Sequence, residues 1–238
     1  MASPRKTVRI GVFIPKDCQL LDAACVDILA SMSHEYLSIA SDMIPRQVVD
    51  LAPSVRIHYV GSVKAGEPIP MTANLRAQAT NHFGDDEVAP GNLDIVVVPG
   101  PDPAARFEED ALDWLRRHSE QPATDILSVC TGIYVCGYAG LLKGKTICGP
   151  RGVQDDITAR FGKDIIQKGA ELRWVQDGNF WSSGGVTNGN DLAAAYARQK
   201  SEFWPRPVVE TVIALTDVGD RGQAYGKSPS MADLASTL

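Results

Sequence analysis

Cys130 stands in the stretch Ser128-Val129-Cys130-Thr131-Gly132, between a β-branched apolar run at 126–129 and small and apolar residues at 132–142. The first run reads as a buried parallel strand, and the second as a helix that closes at Gly144. A nucleophile on such a turn is lifted out of the sheet, and the amides at the helix start favour its thiolate form. The alternative is a buried thiol that fills the end of a core strand. Thr131 follows, where one common Cys-His architecture has histidine. Threonine is no general base at neutral pH, but its hydroxyl can donate one hydrogen bond and its backbone N–H can meet negative charge on an attacked atom. If a proton has to be moved, Asp22 is the best available carboxylate. Beside a thiolate its pKa would be raised by like charge, and in its protonated form it would serve Cys130 as an acid. Its plainer reading is a carboxylate that suits a helix dipole.

The elements that must position these residues follow from apolar periodicity. Residues 8–14 form a first strand, and after a polar turn at 15–19 the spacing predicts a helix over 20–31, with Asp22 near its start. Residues 32–54 read as a connection with a helical stretch at 35–40. A strand is expected at 55–60, then an extended piece at 68–71 whose prolines confine it to an edge. Residues 93–98 are the clearest buried strand, ending in Pro99-Gly100-Pro101-Asp102-Pro103. An amphipathic helix spans 108–120. Beyond the Cys130 unit come a short strand at 146–148, a helix at 153–161 stopped by Gly162, and extended pieces at 172–175 and 179–183, either a hairpin or two separate strands. The turn from Gly184 to Asp191 leads into a helix at 192–203, and Pro207 starts another to Ala214. The alternation implies an α/β fold, a flavodoxin-like three-layer sandwich with a mostly parallel sheet covered on both faces. One domain is expected over 1–238, with its core at 8–216 and a Gly- and Ser-rich tail, strap or disordered, at 219–238.

In open α/β sheets, ligands sit outside the carboxyl ends of the strands near a switch in strand order. Asp22, Gly100, Cys130 and the Gly184 to Asp191 turn all follow such ends, so four loops point at one crevice. Trp174, Trp181, Phe203 and Trp204 are read as lining this crevice or as core.

Composition narrows the partners. The net charge is −6 with scattered Lys and Arg, which disfavours nucleic acid. No signal-like or membrane-spanning apolar run is present, so a soluble cytoplasmic protein without a membrane partner is expected. Five cysteines lack CxxC or CxxxH spacing and four histidines lack HExxH pairing, so no metal and no disulfide frame is expected.

With these residues in place, the chain resembles the ThiJ/PfpI superfamily, which has the class I glutamine amidotransferase-like fold with its nucleophile elbow. The likeness rests on Leu21-Asp22, Val97-Val98-Pro99-Gly100, Ser128-Val129-Cys130-Thr131-Gly132, Leu141-Leu142-Lys143-Gly144-Lys145 and Gly184-Gly185-Val186-Thr187. Aspartate in the first loop together with Cys-Thr-Gly is similar to the isonitrile hydratase branch. Glyoxalase-like and deglycase members typically have glutamate there, and chaperone-like and protease-like members typically have histidine after the cysteine. What the resemblance implies is that Cys130 attacks the terminal isonitrile carbon, Asp22 assists protonation, Thr131 helps hold the adduct and water resolves a thioimidate to an N-substituted formamide. It further implies no cofactor, a small-molecule electrophile as the partner and a homodimer. Gly100, Pro101, Thr131 and Gly185 are then the substrate-binding and oxyanion positions. One departure stands out: the family often has Pro-Gly-Gly where this chain has Pro99-Gly100-Pro101, and proline has no N–H.

Three other readings remain open from the sequence. Cys130 would act on a different electrophile such as an aldehyde, an amide or an unsaturated secondary metabolite. It would sense oxidants without catalysis. Or the chain would be the ligand-sensing domain of a transcription regulator, although no basic helix-turn-helix is present in it.

Overall fold

The structure is a computed structural model that describes residues 5–226. Its strands are β1 (Thr7–Ile14), β2 (Ser54–Gly61), β3 (Pro68–Pro70), β4 (Arg76–Gln78), β5 (Asn81–His82), β6 (Ile95–Val98), β7 (Asp125–Val129), β8 (Thr146–Ile147), β9 (Ile166–Gln167), β10 (Trp174–Asp177) and β11 (Phe180–Ser183). The helices are α1 (Leu20–Ala24), α2 (Val26–Ser31), α3 (His34–Ile39), α4 (Arg46–Leu51), α5 (Glu109–Ser119), α6 (Gly132–Tyr138), α7 (Gln154–Phe161), α8 (Asn188–Gln199) and α9 (Arg206–Thr216).

Seven strands make one sheet in the order β10-β11-β7-β6-β1-β2-β5. Every neighbouring pair is parallel except the β10–β11 hairpin. The β-branched runs explain why the sheet is covered on both sides, because alternate residues feed two cores. Ile10, Val12, Val97, Leu127 and Val129 face the core under α2, α8 and α9, whereas Phe13, Val96, Val98 and Ile126 face the one that Trp114, Leu115, Ile133 and Tyr134 of α5 and α6 complete. This is an α/β three-layer fold, as the alternation of elements implied. The chain turns outward from β1 to β2 and then returns to the other side of β1 with β6, so the switch in strand order lies between β1 and β6.

Several boundaries differ from expectation for local reasons. The helix expected over 20–31 is divided at Cys25, whose thiol donates to the Asp22 carbonyl at 3.2 Å. The helix expected to reach 142 stops at Tyr138. There Gly140, at φ +82°, bonds through its N–H to Gly137, and the Leu141 N–H bonds to Cys136, which is a Schellman ending. The segment 32–54 holds two short helices, α3 and α4. The last two helices are displaced to α8 and α9, with Asn188 already helical. The strands β4, β5 and β9 are too short, at three, two and two residues, to carry an alternating pattern.

Trp181 and Trp204 are fully buried core residues, Trp181 stacking on Trp174 and meeting the edge of Tyr196. The tail up to Gly226 is a strap. Leu172 bridges Ala224, the Arg173 N–H donates to the Gln223 carbonyl and the Tyr225 N–H to that of Glu171, which covers the edge of the sheet beside β10. The rest of the expected tail lies outside the described residues.

Gly132 allows the turn after β7 to press against β6, since a Cβ there would stand 2.1 Å from the Val98 carbonyl oxygen. Gly132→Ala is therefore expected to lower stability in urea unfolding by about 2–3 kcal/mol, the cost of overpacking against backbone.

Candidate active site

Three neighbouring strands deliver the candidate residues. Asp22 follows β1, Gly100 follows β6 and Cys130 follows β7, so Asp22 and Gly100 stand on either side of the switch point. Cys130 has φ +57°, a left-handed conformation that costs a non-glycine residue about 1–2 kcal/mol. The surroundings hold it there. Its N–H donates to the Ser183 carbonyl at 3.2 Å, and its own carbonyl accepts from Ile133 at 3.4 Å.

Asp22 is wholly buried. Its Oδ2 accepts the Gly100 N–H at 3.1 Å, while its Oδ1 is buried with no hydrogen-bond partner. Burial pushes the Asp22 carboxyl up to about 7, against the Cys130 thiol and the Gly100 N–H, which both lower it. The upward direction agrees with the sequence argument but the leading cause differs: desolvation acts here, not like charge. On the other side, burial and then the Asp22 charge push the Cys130 thiol up to about 11, opposed by the backbone amides of Val186 and Thr131. The expectation of a resting thiolate is thus corrected. Cys130 is only 7% exposed, and the short helix that follows it does not offset the lost hydration. Cys130 rests as a thiol beside a carboxyl that titrates near neutrality, and Asp22 Oδ1 stands without a hydrogen-bond partner.

Gly100 makes this packing achievable. A Cβ on it would lie 2.3 Å from Thr131 Oγ1 and 2.5 Å from Asp22 Oδ2. Its N–H is occupied by Asp22 and its carbonyl accepts from Gln19 at 2.8 Å. Pro101 has no N–H, and its carbonyl accepts the Thr131 hydroxyl at 2.8 Å. Of the Gly100, Pro101 and Thr131 set, the backbone N–H of Thr131 is therefore the donor directed at the sulfur, and the Thr131 hydroxyl ties the two loops together.

A cleft of about 390 Å³ opens beside these residues, lined by Gly100, Pro101 and Thr131. Its opposite wall was not legible in the sequence: Asp17, Cys18 and Gln19 from the first loop, and Met71 and Thr72 from the β3–β4 hairpin. The hairpin is pinned by Leu20 N–H donating to Thr72 Oγ1 at 2.9 Å and Thr72 N–H donating to Cys18. Cys18 is pushed up to about 12 by burial and then by Asp22 and Asp17, so the thiol that lines the cleft is protonated. Gly185 does not line this cleft; it lines a separate pocket, while its neighbour Val186, at φ +35°, supplies an amide toward Cys130. Val186 carries no sequence signal beyond its place in the Gly-Gly-Val-Thr turn. Asp191 is buried and pairs with Arg221.

Among the described residues, no cluster of three His, Cys, Asp or Glu side chains could hold a metal ion, and no helix is long and apolar enough to cross a membrane.

Comparison with known proteins agrees with this architecture. Residues 40–199 match the profile of the DJ-1/PfpI family, a range that includes Gly100 and Cys130 and begins after Asp22. An isonitrile hydratase from Pseudomonas putida is 33% identical over 157 residues, which span 65% of this chain and 64% of that protein's length. A ThiJ/PfpI family protein from Pseudomonas syringae has a similar structure, with a TM-score of 0.69 at 19% identity over 98% of this chain and 84% of its own. DJ-1beta of Drosophila melanogaster gives 0.66 at 17% identity over 89% and 98%. At those identities the structural matches speak for the fold alone.

The raised Asp22 pKa has a consequence for stability. Between about pH 4 and pH 7 an unfolded Asp22 ionises while the folded one stays protonated, so this residue withdraws stability as pH rises through that window. Asp22→Asn removes the effect. Relative to wild type, its stability in urea is expected to rise by about 4 kcal/mol between pH 4 and pH 8, from roughly three units at about 1.4 kcal/mol each. An unchanged difference across that range would refute a raised pKa.

Proposed function

Because the chain belongs to the DJ-1/PfpI family, we propose that it is a cysteine-dependent enzyme of that family which adds water to isonitriles to give N-substituted formamides. The observation that carries this reading is the pairing of a strained, protonated Cys130 with the unpartnered Oδ1 of a carboxyl that titrates near 7. The identity to the Pseudomonas putida isonitrile hydratase supports the substrate class.

In the proposed reaction Asp22, as a carboxylate, takes the thiol proton while sulfur bonds to the terminal isonitrile carbon. It returns that proton to the same carbon, leaving a thioimidate with one C–H. Water then adds to this carbon, Asp22 moving one proton from the water to nitrogen. Collapse of the hydroxyl adduct breaks the C–S bond, and the hydroxyl proton returns through Asp22 to sulfur. One isonitrile and one water become one formamide, with Cys130 and Asp22 restored.

The donor arrangement favours this chemistry over amide or ester cleavage. Attack on a carbonyl puts charge on an oxygen that needs preorganised N–H donors. Here the Gly100 N–H is engaged by Asp22 and Pro101 has none. Attack on an isonitrile instead puts charge on the attacked carbon, where a nearby acid serves.

Purified protein, with Cys130 kept reduced, is expected to convert cyclohexyl isonitrile to the formamide, with the product followed by chromatography. Cys130→Ala should abolish turnover, and Asp22→Asn should lower kcat about 10²–10⁴-fold, the range for a positioned acid-base group. The wild-type rate should rise with pH through about 7, since Asp22 must begin as a carboxylate. Full activity in Cys130→Ala would end the proposal. Absence of turnover in the wild type would transfer it to another small electrophile.

A further inference from the structure

On a chain of net charge −6, three arginines surround one pocket that no carboxylate lines. Arg151, Arg173 and Arg221 share this space of about 350 Å³ with Gly185, Asn188 and Tyr225. The volume is at the small end of ligand sites. Two of the cations pack on one aromatic ring. The guanidinium of Arg151 lies 4.3 Å, and that of Arg173 4.9 Å, from the centre of the Tyr225 ring.

Part of this charge has a structural duty. Arg173 donates to the Gly222 carbonyl at 2.7 Å, which seats the strap, and Arg221 bonds Asp191 through Nε at 3.2 Å and the Thr187 carbonyl at 2.9 Å. Two features exceed that duty. Arg173 Nε is buried with no hydrogen-bond partner, and Arg151 forms no salt bridge among the described residues and meets the face of Tyr225. The Tyr225 hydroxyl accepts from Asn188 Nδ2 at 2.6 Å, which holds the ring against the two arginines. Guanidinium forks match planar or tetrahedral oxyanions, so an anion in this pocket would meet cationic donors with no carboxylate among the lining residues.

We propose that this pocket binds the carboxylate or phosphate group of a small molecule. The inference does not depend on isonitrile chemistry. Gly185 lines the pocket and Val186 points its amide at Cys130, so an occupant would touch the same loop that serves the candidate nucleophile.

The test is calorimetric titration with inorganic phosphate and, separately, with succinate, at ionic strength held constant with sodium chloride. Wild type, Arg151→Gln, Arg151→Lys and the exposed-charge control Arg46→Gln are compared. Saturable one-to-one binding of either probe in the wild type is expected, weakened tenfold or more in Arg151→Gln, less in Arg151→Lys, and unchanged in Arg46→Gln. Binding of phosphate alone or of succinate alone supports the site and identifies its anion. No saturable heat with either probe overturns the proposal. So does an affinity in Arg151→Gln equal to wild type, or an equal loss in Arg46→Gln, which would reveal general charge attraction only.

Discussion

The hydrogen bond from the Gly100 N–H to the Asp22 side chain, at Oδ2, works with that from the Gln19 N–H to the Gly100 carbonyl to join the two loops on either side of the switch in strand order. Buried carboxyls are costly unless hydrogen-bonded, and this one has a partner on one oxygen only. Burial keeps the carboxyl protonated up to about pH 7, and its other oxygen is without a hydrogen-bond partner. Had Gly100 a side chain, it would occupy the space where Asp22 and Thr131 meet. The bond to Asp22 engages the Gly100 N–H, so holding the Asp22 carboxyl and offering that N–H to another group are alternatives here.

Strain on the other side of the site is held by sheet pairing. Cys130 keeps its positive φ because β7 is fixed between β6 and β11, with Ser183 accepting its N–H. A strained residue persists when its surroundings over-determine it, and the interior position of β7 does that. The β3–β4 hairpin, reached from outside the main sheet, then closes one wall of the cleft without contributing to the core strands.

The strap at 222–225 links the sheet edge to the second pocket. It pairs with residues 171–174, covers the β10 edge and brings Arg221 and Tyr225 beside Arg151 and Arg173. Edge protection and the gathering of charge therefore arise from one segment. The charge is concentrated although the chain is acidic overall, because residues far apart in sequence are folded onto the one loop that begins α8.

Apolar periodicity was enough to read the α/β class, the strands around 8–14, 55–60, 93–98 and 126–129, and the meeting of Asp22, Gly100 and Cys130 at strand ends, because burial on both faces demands continuous β-branched runs and ligand sites follow strand order. The end of α6 was not readable, since Gly137 and Gly140 are both glycines and only the Schellman bonds choose between continuing and stopping. The short strands β5 and β9 lacked enough residues for a pattern. The direction of the Asp22 shift followed from residue types, but its cause and the protonated state of Cys130 did not, because desolvation depends on what covers a group in space. Likewise Met71 and Thr72 as a wall, Gly185 in a separate pocket and the three arginines around Tyr225 were decided by tertiary structure alone. Periodicity is a property of neighbours along the chain, whereas cavities, burial and converging charge come from segments that only folding brings together.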